Sequence, residues 1–171
     1  MSSESLPTIL IIPGAFHPPS CFDAFVPHLQ KEGYSTIVVP LPSSNPSSPS
    51  TASCSLDADS IRENFLIPLI EEKHEDVVLF AHSYGGIPGG AASKGFGKVT
   101  RMSQGKRGGI IGLIYLNGNI NKNGESLLDT VGGQYPPFIK TDTVSVSSSL
   151  QQQWQEHYWA RYKNVGRPAL T

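Results

Sequence analysis

Residues 77–86 read VVLFAHSYGG, an apolar run that leads directly into a histidine, a serine, a tyrosine and two glycines. Within it, residues 81–85 have the form small-x-Ser-x-Gly. That spacing is typical of a nucleophile elbow, in which a serine occupies a strained turn between a buried strand and the following helix. Small residues at Ala81 and Gly85 let the turn close, and the strain presents the Ser83 hydroxyl at the carboxyl end of the sheet.

Two simpler interpretations of this pattern exist. Glycine-rich strand-to-helix turns also bind phosphate groups, and Ser83 would equally serve to cap the next helix. The surrounding sequence favours the nucleophile, because an apolar run precedes the serine and small residues follow it (GGIPGGAAS, 85–93). The N-terminal amides of the following helix would also stabilise negative charge beside Ser83.

Four apolar runs in the chain resemble buried strands. They are rich in β-branched residues and lack polar alternation, which is typical of parallel strands buried on both faces. Segments with helical spacing separate them, so the sequence predicts an α/β fold with a parallel sheet and helices on both sides, a three-layer αβα arrangement. The four runs are TILII (8–12), STIVV (35–39), DVVLF (76–80) and IIGLIYL (110–116).

The helical segments between the first three strands carry boundary and breaker signals. Ser20 and Asp23 are predicted to form an N-terminal capping pair for the first helix, and Gly33 is predicted to end it. Pro27 and Pro68 fall inside the two helical patterns and predict a kink or break at each position.

The second helical pattern, at 56–73, carries Asp57 and Asp59 near its start, where carboxylates suit the helix dipole. Before it, residues 40–55 (PLPSSNPSSPSTASCS) predict a surface loop. Two charged stretches are also predicted to be solvated, the acidic residues of 71–76 and the basic residues of 94–107.

Composition limits the class of protein. The chain has 171 residues, of which 38% are hydrophobic and 16% charged, as in ordinary globular proteins. We therefore predict a single domain over 1–171, with its core at 8–119 and an atypical segment at 120–171. The formal net charge of −1 gives no reason to expect a nucleic-acid or membrane partner.

The cysteines and the N-terminal segment point to a cytoplasmic protein. Cys21 and Cys54 form no CxxC pair and no disulfide framework, and no metal-ligand spacing is present in the sequence. The apolar run at 9–12 is too short for a signal peptide or a membrane span. We expect a cytoplasmic location and neither metal nor cofactor.

The turn at the end of the first predicted strand is a candidate for part of an oxyanion hole. A tetrahedral oxyanion needs two preorganised N–H donors, one from the residue after the nucleophile and one from the loop after a neighbouring strand. Tyr84 follows the serine, and the turn at 13–16 (PGAF) offers the amide of Ala15 or, as the weaker candidate, Phe16. The turn is otherwise an ordinary strand-ending turn.

At these residues the chain resembles the α/β-hydrolase family, and within it the compact esterase branch that includes plant methylesterases and hydroxynitrile lyases. The resemblance rests on IIPGAFHPPSCFDAFVPHLQKEGY (11–34), VVLFAHSYGG (77–86) and GLIYLNG (112–118), and it covers about residues 8–119. Pro13 stands where the family usually has histidine, and Ala81 where it usually has glycine. Neither change removes a backbone donor.

The resemblance implies a carboxylesterase-type serine hydrolase that acts on a small apolar ester or carbonyl substrate and needs no cofactor. Ser83 would be the nucleophile, and the amides of Ala15 and Tyr84 would form the oxyanion hole. Residues 121–140 resemble the start of a cap over the active site. A lyase or cyclase on the same fold, and a non-catalytic fragment or binding protein, are the alternatives.

The resemblance also requires a carboxylate and then a histidine after the serine. Asp129 or Asp142 followed by His157 keeps that order, but neither acid follows a convincing strand. His17 and His82 are close to the site in sequence and are not predicted to act as the base. We expect a core truncated after the start of the cap, with impaired hydrolysis. The bare edge of its last strand would let the chain self-associate, unless the tail around Trp154, Tyr158 and Trp159 folds back to cover that edge.

Overall fold

The computed structural model describes residues 5–44, 52–122, 125–130 and 132–134. They all lie in the compact unit Met1–Pro136. The second unit, Pro137–Thr171, falls outside the described residues, so the boundaries predicted for the tail stay a prediction.

A parallel four-stranded sheet forms the centre of the described structure, with the strand order β2-β1-β3-β4. All four predicted strands are confirmed to within a few residues, and so is the parallel α/β class. The strands are β1 (Thr8–Ile12), β2 (Thr36–Val38), β3 (Asp76–His82) and β4 (Gly109–Leu116).

Helices connect these strands. No helix in the described part of the chain has the length and apolar character needed to cross a membrane. The α-helices are α1 (Val26–Lys31), α2 (Cys54–Ile61), α3 (Gly86–Ala92), α4 (Lys98–Ser103) and α5 (Leu127–Thr130). A π-helical segment, Arg62–Glu72, continues α2, and 3₁₀ turns occupy Pro19–Phe22, Pro42–Ser44 and Ser83–Gly85.

The first helical pattern is divided rather than kinked. Pro27 is the second residue of α1, and a proline in the first turn of a helix sacrifices no hydrogen bond. The break predicted at Pro27 is therefore present just before the proline, which helps to begin the second helical piece. Gly33 follows α1 with φ of +90°, as predicted for the residue that ends it.

The predicted capping pair in that segment is wrong. Pro18 precedes the 3₁₀ turn and no side chain caps it. Ser20 and Asp23 are joined through their backbones instead, where the Asp23 N–H donates to the Ser20 carbonyl at 3.2 Å.

The second helical pattern begins earlier than predicted and changes its winding. The Ser53 side chain accepts a hydrogen bond from the Leu56 N–H at 3.1 Å and so caps α2. Pro68 lies inside the π-helical segment, seven residues after α2 ends at Ile61. A proline lacks the N–H and crowds the carbonyl four residues before it. The wider winding accommodates Pro68, and the helical segment runs on to Glu72 without the predicted break.

β1 lies at the centre of the packing. Every residue of β1 is buried, and its side chains alternate between two apolar clusters. Leu10 and Ile12 join the cluster beneath α2 and the π-helical segment, whereas Ile9 and Ile11 pack with Phe22 on the opposite face. Helices cover both faces of the sheet here, as the three-layer prediction requires.

β4 departs from the predicted burial. Ile110 is buried, but Ile111 is 50% exposed and Ile114 is 49% exposed. Leu113, which is 44% exposed, and Ile114 are consecutive residues that point to opposite faces of the sheet, so both faces of β4 are open beyond Ile110. Within the described residues β4 is also an edge strand, with β3 as its paired neighbour.

The two charged stretches predicted to be solvated are partly paired with each other, which corrects that expectation. Arg101 is only 2% exposed, and its guanidinium donates to both carboxylate oxygens of Glu71, at 2.6 and 3.0 Å. It also donates to the carbonyls of Gly108 and Arg107. Arg101 thus joins the π-helical segment to the turn that enters β4.

The predicted surface loop at 40–55 is structured at both ends. Pro42–Ser44 forms a 3₁₀ turn, and Cys54 already belongs to α2. Residues 45–51 lie outside the described part of the chain.

We expect Arg101→Ala to lower the free energy of unfolding by about 2–3 kcal/mol, because it removes donors from Glu71 and from two backbone carbonyls. Lys106→Ala is the matched control, since Lys106 is exposed and lies 4.0 Å from the same carboxylate. The control should cost under about 0.5 kcal/mol. Urea denaturation of both variants measures the difference, and equal losses would contradict the structural role of Arg101.

Candidate active site

Ser83 occupies a strained turn at the carboxyl end of the sheet. β3 ends at His82, and Ser83 follows with φ of +51° before the 3₁₀ turn passes into α3. A positive φ is unusual for a residue other than glycine. β3 lies between β1 and β4, so the turn lies at the end of a central strand. The order of strand, strained serine and helix is the arrangement that the pattern at 81–85 predicts.

The two glycines after the serine are there for steric reasons. A methyl group on Gly85 would lie 2.6 Å from the Ile12 carbonyl oxygen and would also collide with that of Pro13. A methyl group on Gly86 would collide with the Asn119 carbonyl oxygen. The turn is therefore wedged between the ends of β1 and β4, and a larger residue at either position would force the strands apart.

The loop after β1 contacts the serine directly. A methyl group on Gly14 would lie 3.1 Å from Ser83 Cβ. The loop closes tightly, with the His17 N–H donating to the Gly14 carbonyl at 3.2 Å and Phe16 at φ of +63°. The structure thus places the predicted turn at 13–16, which contains Ala15, next to Ser83. This turn and the Ser83 turn together form what we call the Ser83 corner.

Two imidazoles flank this corner. The His17 and His82 rings lie edge to face, with centroids 5.3 Å apart. Nδ1 of His17 donates to the Ala15 carbonyl at 2.8 Å. Nδ1 of His82 is buried without a hydrogen-bond partner among the described residues. Burial lowers the pKa of His82, and the nearby charge of His17 lowers it further, which favours the neutral imidazole.

A buried carboxylate lies next to the turn, and the sequence analysis did not predict it. Asp57 is fully buried and accepts hydrogen bonds from the Ser43 N–H at 2.9 Å, the Ser43 hydroxyl at 2.5 Å and the Tyr84 hydroxyl at 2.7 Å. Burial, followed by the Asp57 carboxylate, raises the pKa of Tyr84, so the phenol stays protonated.

The role expected for Asp57, a carboxylate placed for the helix dipole, was therefore incomplete. One sequence signal was available: Asp57 lies one helical turn before Ile61, which is buried in the core, so the two share the inward face. A carboxylate on a buried face must find hydrogen-bond donors.

Comparison with known proteins identifies the chain. The sequence profile of the Alpha/beta hydrolase family matches residues 9–170. The protein belongs to this α/β-hydrolase family. The match continues beyond Asn119, where the resemblance based on motifs ended.

Two fungal relatives support the assignment. The alpha/beta hydrolase nvfD of Aspergillus novofumigatus (strain IBT 16806) is 34% identical over 144 residues, which are 84% of this chain and 56% of the relative. Probable hydrolase R7 of Phoma sp. (strain ATCC 20986 / MF5453) is 30% identical over 129 residues, which are 75% of this chain and 49% of the relative. The chain thus spans about half the length of the curated relatives it matches.

A solved structure has the same fold. It is an extracellular alpha/beta-hydrolase from a Paenibacillus species, described as sharing structural and functional homology with Tobacco Salicylic Acid Binding Protein 2. It aligns with 93% of this chain and 54% of its own chain, at a TM-score of 0.55 and 15% identity. At that identity the likeness establishes the fold.

Only one of the acids and bases predicted to follow Ser83 in the chain lies among the described residues. Asp129 is exposed on α5, and its carboxylate accepts from the N–H and the hydroxyl of Ser126, each at 2.7 Å. Those bonds lower the pKa of Asp129. Asp142 and His157 lie outside the described residues. Asp129 therefore caps its own short helix in the structure.

Metal ligands were not expected from the sequence. In the part of the chain that the structure describes, no group of three or more histidine, cysteine or acidic residues is placed to hold a metal ion.

The lowered pKa of His82 predicts a loss of stability in acid. As the pH falls through the unfolded histidine value of about 6.5, the unfolded chain takes up a proton that folded His82 resists, so folding weakens until the folded pKa is reached. We expect His82→Phe to reduce the fall in melting temperature between about pH 7.5 and 5.5. His28→Phe is the control, since His28 is exposed on α1.

Thermal unfolding followed by circular dichroism at each pH measures this effect. The same acid sensitivity in wild type and His82→Phe would show that His82 is not the group responsible.

Proposed function

We propose that this protein is a carboxylesterase-type serine hydrolase that uses Ser83 as its nucleophile on small apolar esters. The observation that carries the proposal is the positive φ of Ser83 at the junction of β3 and α3, directly against the loop after β1. A strained serine at this junction is the arrangement that exposes a nucleophilic hydroxyl in α/β-hydrolases.

The chemistry follows from the residues at that corner. The Ser83 oxygen would attack the ester carbonyl carbon, and the serine proton would pass to a base as the tetrahedral oxyanion forms. The backbone N–H groups of Ala15 and Tyr84 are the proposed donors to that oxyanion. Expulsion of the alcohol would leave an acyl-serine, which water then hydrolyses to release the acid.

We further propose that hydrolysis by this chain is impaired. A serine without an oriented histidine stays protonated and is a poor nucleophile. The carboxylate of Asp129, one of the two candidate acids, accepts hydrogen bonds from Ser126 at the start of α5. The same observation favours a second candidate function, a non-catalytic protein that binds small carbonyl compounds at the Ser83 corner.

A fluorophosphonate probe, which reacts with activated serines, tests the nucleophile. We expect any labelling to disappear in Ser83→Ala. Ser93→Ala is the matched control, because Ser93 lies at the end of α3 and its hydroxyl donates to the Gly90 carbonyl at 2.6 Å. Full labelling of Ser83→Ala would contradict the assignment, and a wild-type chain that never labels would favour the binding function.

A hydrolysis assay with short p-nitrophenyl esters tests the impairment. Without a working triad, we expect a residual acceleration of about 10³–10⁴ over water. Ser83→Ala supplies the blank. Robust turnover that is abolished by His157→Ala would contradict the impairment, since it would show that a complete triad operates.

We also propose that the chain self-associates through β4, whose apolar residues are exposed beyond Ile110. We expect light scattering coupled to size exclusion to give a mass above 18.4 kDa that falls toward this value in Ile111→Lys. Leu56→Lys, at an exposed apolar position on α2, is the control. A wild-type chain that is monomeric at every concentration would exclude this association.

A further inference from the structure

We propose that Asp57 is a positioning residue that fixes the strained Ser83 turn through the side chain of Tyr84. The inference rests on the proposed function, in which Ser83 reacts and the Tyr84 amide meets the oxyanion. Asp57 does not touch the reacting atoms in this scheme, because it acts through the residue that follows the nucleophile.

Asp57 connects three separate segments of the chain. It belongs to α2, it receives two hydrogen bonds from Ser43 in the turn after β2, and it receives one from Tyr84 in the turn after β3. The hydroxyls of Ser43 and Tyr84 both donate to the same oxygen, Oδ2. One fully buried carboxylate therefore sets the distance between the two loops at this end of the sheet.

The Ser83 turn needs such a restraint. A non-glycine residue at positive φ persists only where its surroundings hold it in place. The backbone is wedged on one side, where Gly85 meets the Ile12 carbonyl, and it is bonded on another, where the Asn119 N–H donates to the Ser83 carbonyl at 3.0 Å. The bond from Tyr84 to Asp57 adds a restraint at the side chain between Ser83 and Gly85.

The chemistry of the carboxylate suits this task better than that of an amide. Both oxygens of Asp57 accept hydrogen bonds, whereas an asparagine would present an NH₂ donor in place of one of them. Hydrogen bonds to a charged acceptor are shorter and stronger than those to a neutral one.

Amide hydrogen exchange measured residue by residue by NMR tests the proposal without requiring activity. The Gly86 and Asn119 N–H groups both donate to the Ser83 carbonyl, so their exchange reports on the turn. The Ile9 N–H, which donates to the Ser35 carbonyl at 2.8 Å, reports on the sheet away from it. The variants are Asp57→Asn and Tyr84→Phe, and the control is Tyr34→Phe.

We expect exchange at Gly86 and Asn119 to accelerate about tenfold in Tyr84→Phe, while exchange at Ile9 stays unchanged. Asp57→Asn should behave in the same way, and Tyr34→Phe should leave all three amides as in the wild type. No acceleration at the turn in Tyr84→Phe would overturn the proposal. Equal acceleration at all three amides would also overturn it, because Asp57 would then support only global stability.

The fluorophosphonate labelling rate links the restraint to the chemistry. If wild-type Ser83 labels, we expect a loss of about tenfold in Tyr84→Phe, with no further loss when Asp57→Asn is added. A labelling rate that is unchanged in Tyr84→Phe would overturn the positioning of the nucleophile. If wild-type Ser83 does not label, the proposed nucleophile fails, whereas the exchange rates still decide whether Asp57 fixes the turn.

Discussion

The close approach of the β3 turn to the end of β1 is the constraint on which the site depends. Gly85 lies against the Ile12 carbonyl, where even a methyl group has no room. In the parallel pairing of these strands, Ile12 is opposite Ala81, so the turn begins level with the end of β1. The register between β1 and β3, the glycine at position 85 and the position of Ser83 therefore all depend on this one close contact.

The chain buries two polar side chains around this turn in different ways. The Asp57 carboxylate accepts three hydrogen bonds, two from Ser43 and one from Tyr84. His82 has a buried nitrogen without a partner among the described residues, and a lowered pKa keeps the ring neutral. Both arrangements avoid an unpaired buried charge, the costliest state for a polar group in a protein interior. The region around Ser83 is thus ordered by polar groups as well as by packing.

The strands on either side of β3 differ in burial. β1 is buried on both faces, whereas β4 is exposed on both faces beyond Ile110. The chain spans about half the length of the relatives it matches. Among the described residues, the loop after β1 and the segment after β4 both lie against the Ser83 turn, while no hydrogen bond joins the Ser83 hydroxyl to a histidine or a carboxylate.

The sequence by itself determined the four strands, the parallel α/β class and the strained turn at Ser83, because apolar runs and turn sterics act over a few residues. Tertiary structure decided how distant residues meet. The carboxylate of Asp57 bonds to Ser43 and Tyr84, which are 14 and 27 positions away, and Arg101 pairs with Glu71 across 30 positions. No local pattern encodes such meetings, since they follow from how the helices lie on the sheet. The wrong expectations, a solvated Arg101 and a capping pair of Ser20 and Asp23, arose because each residue was assigned from its immediate neighbours.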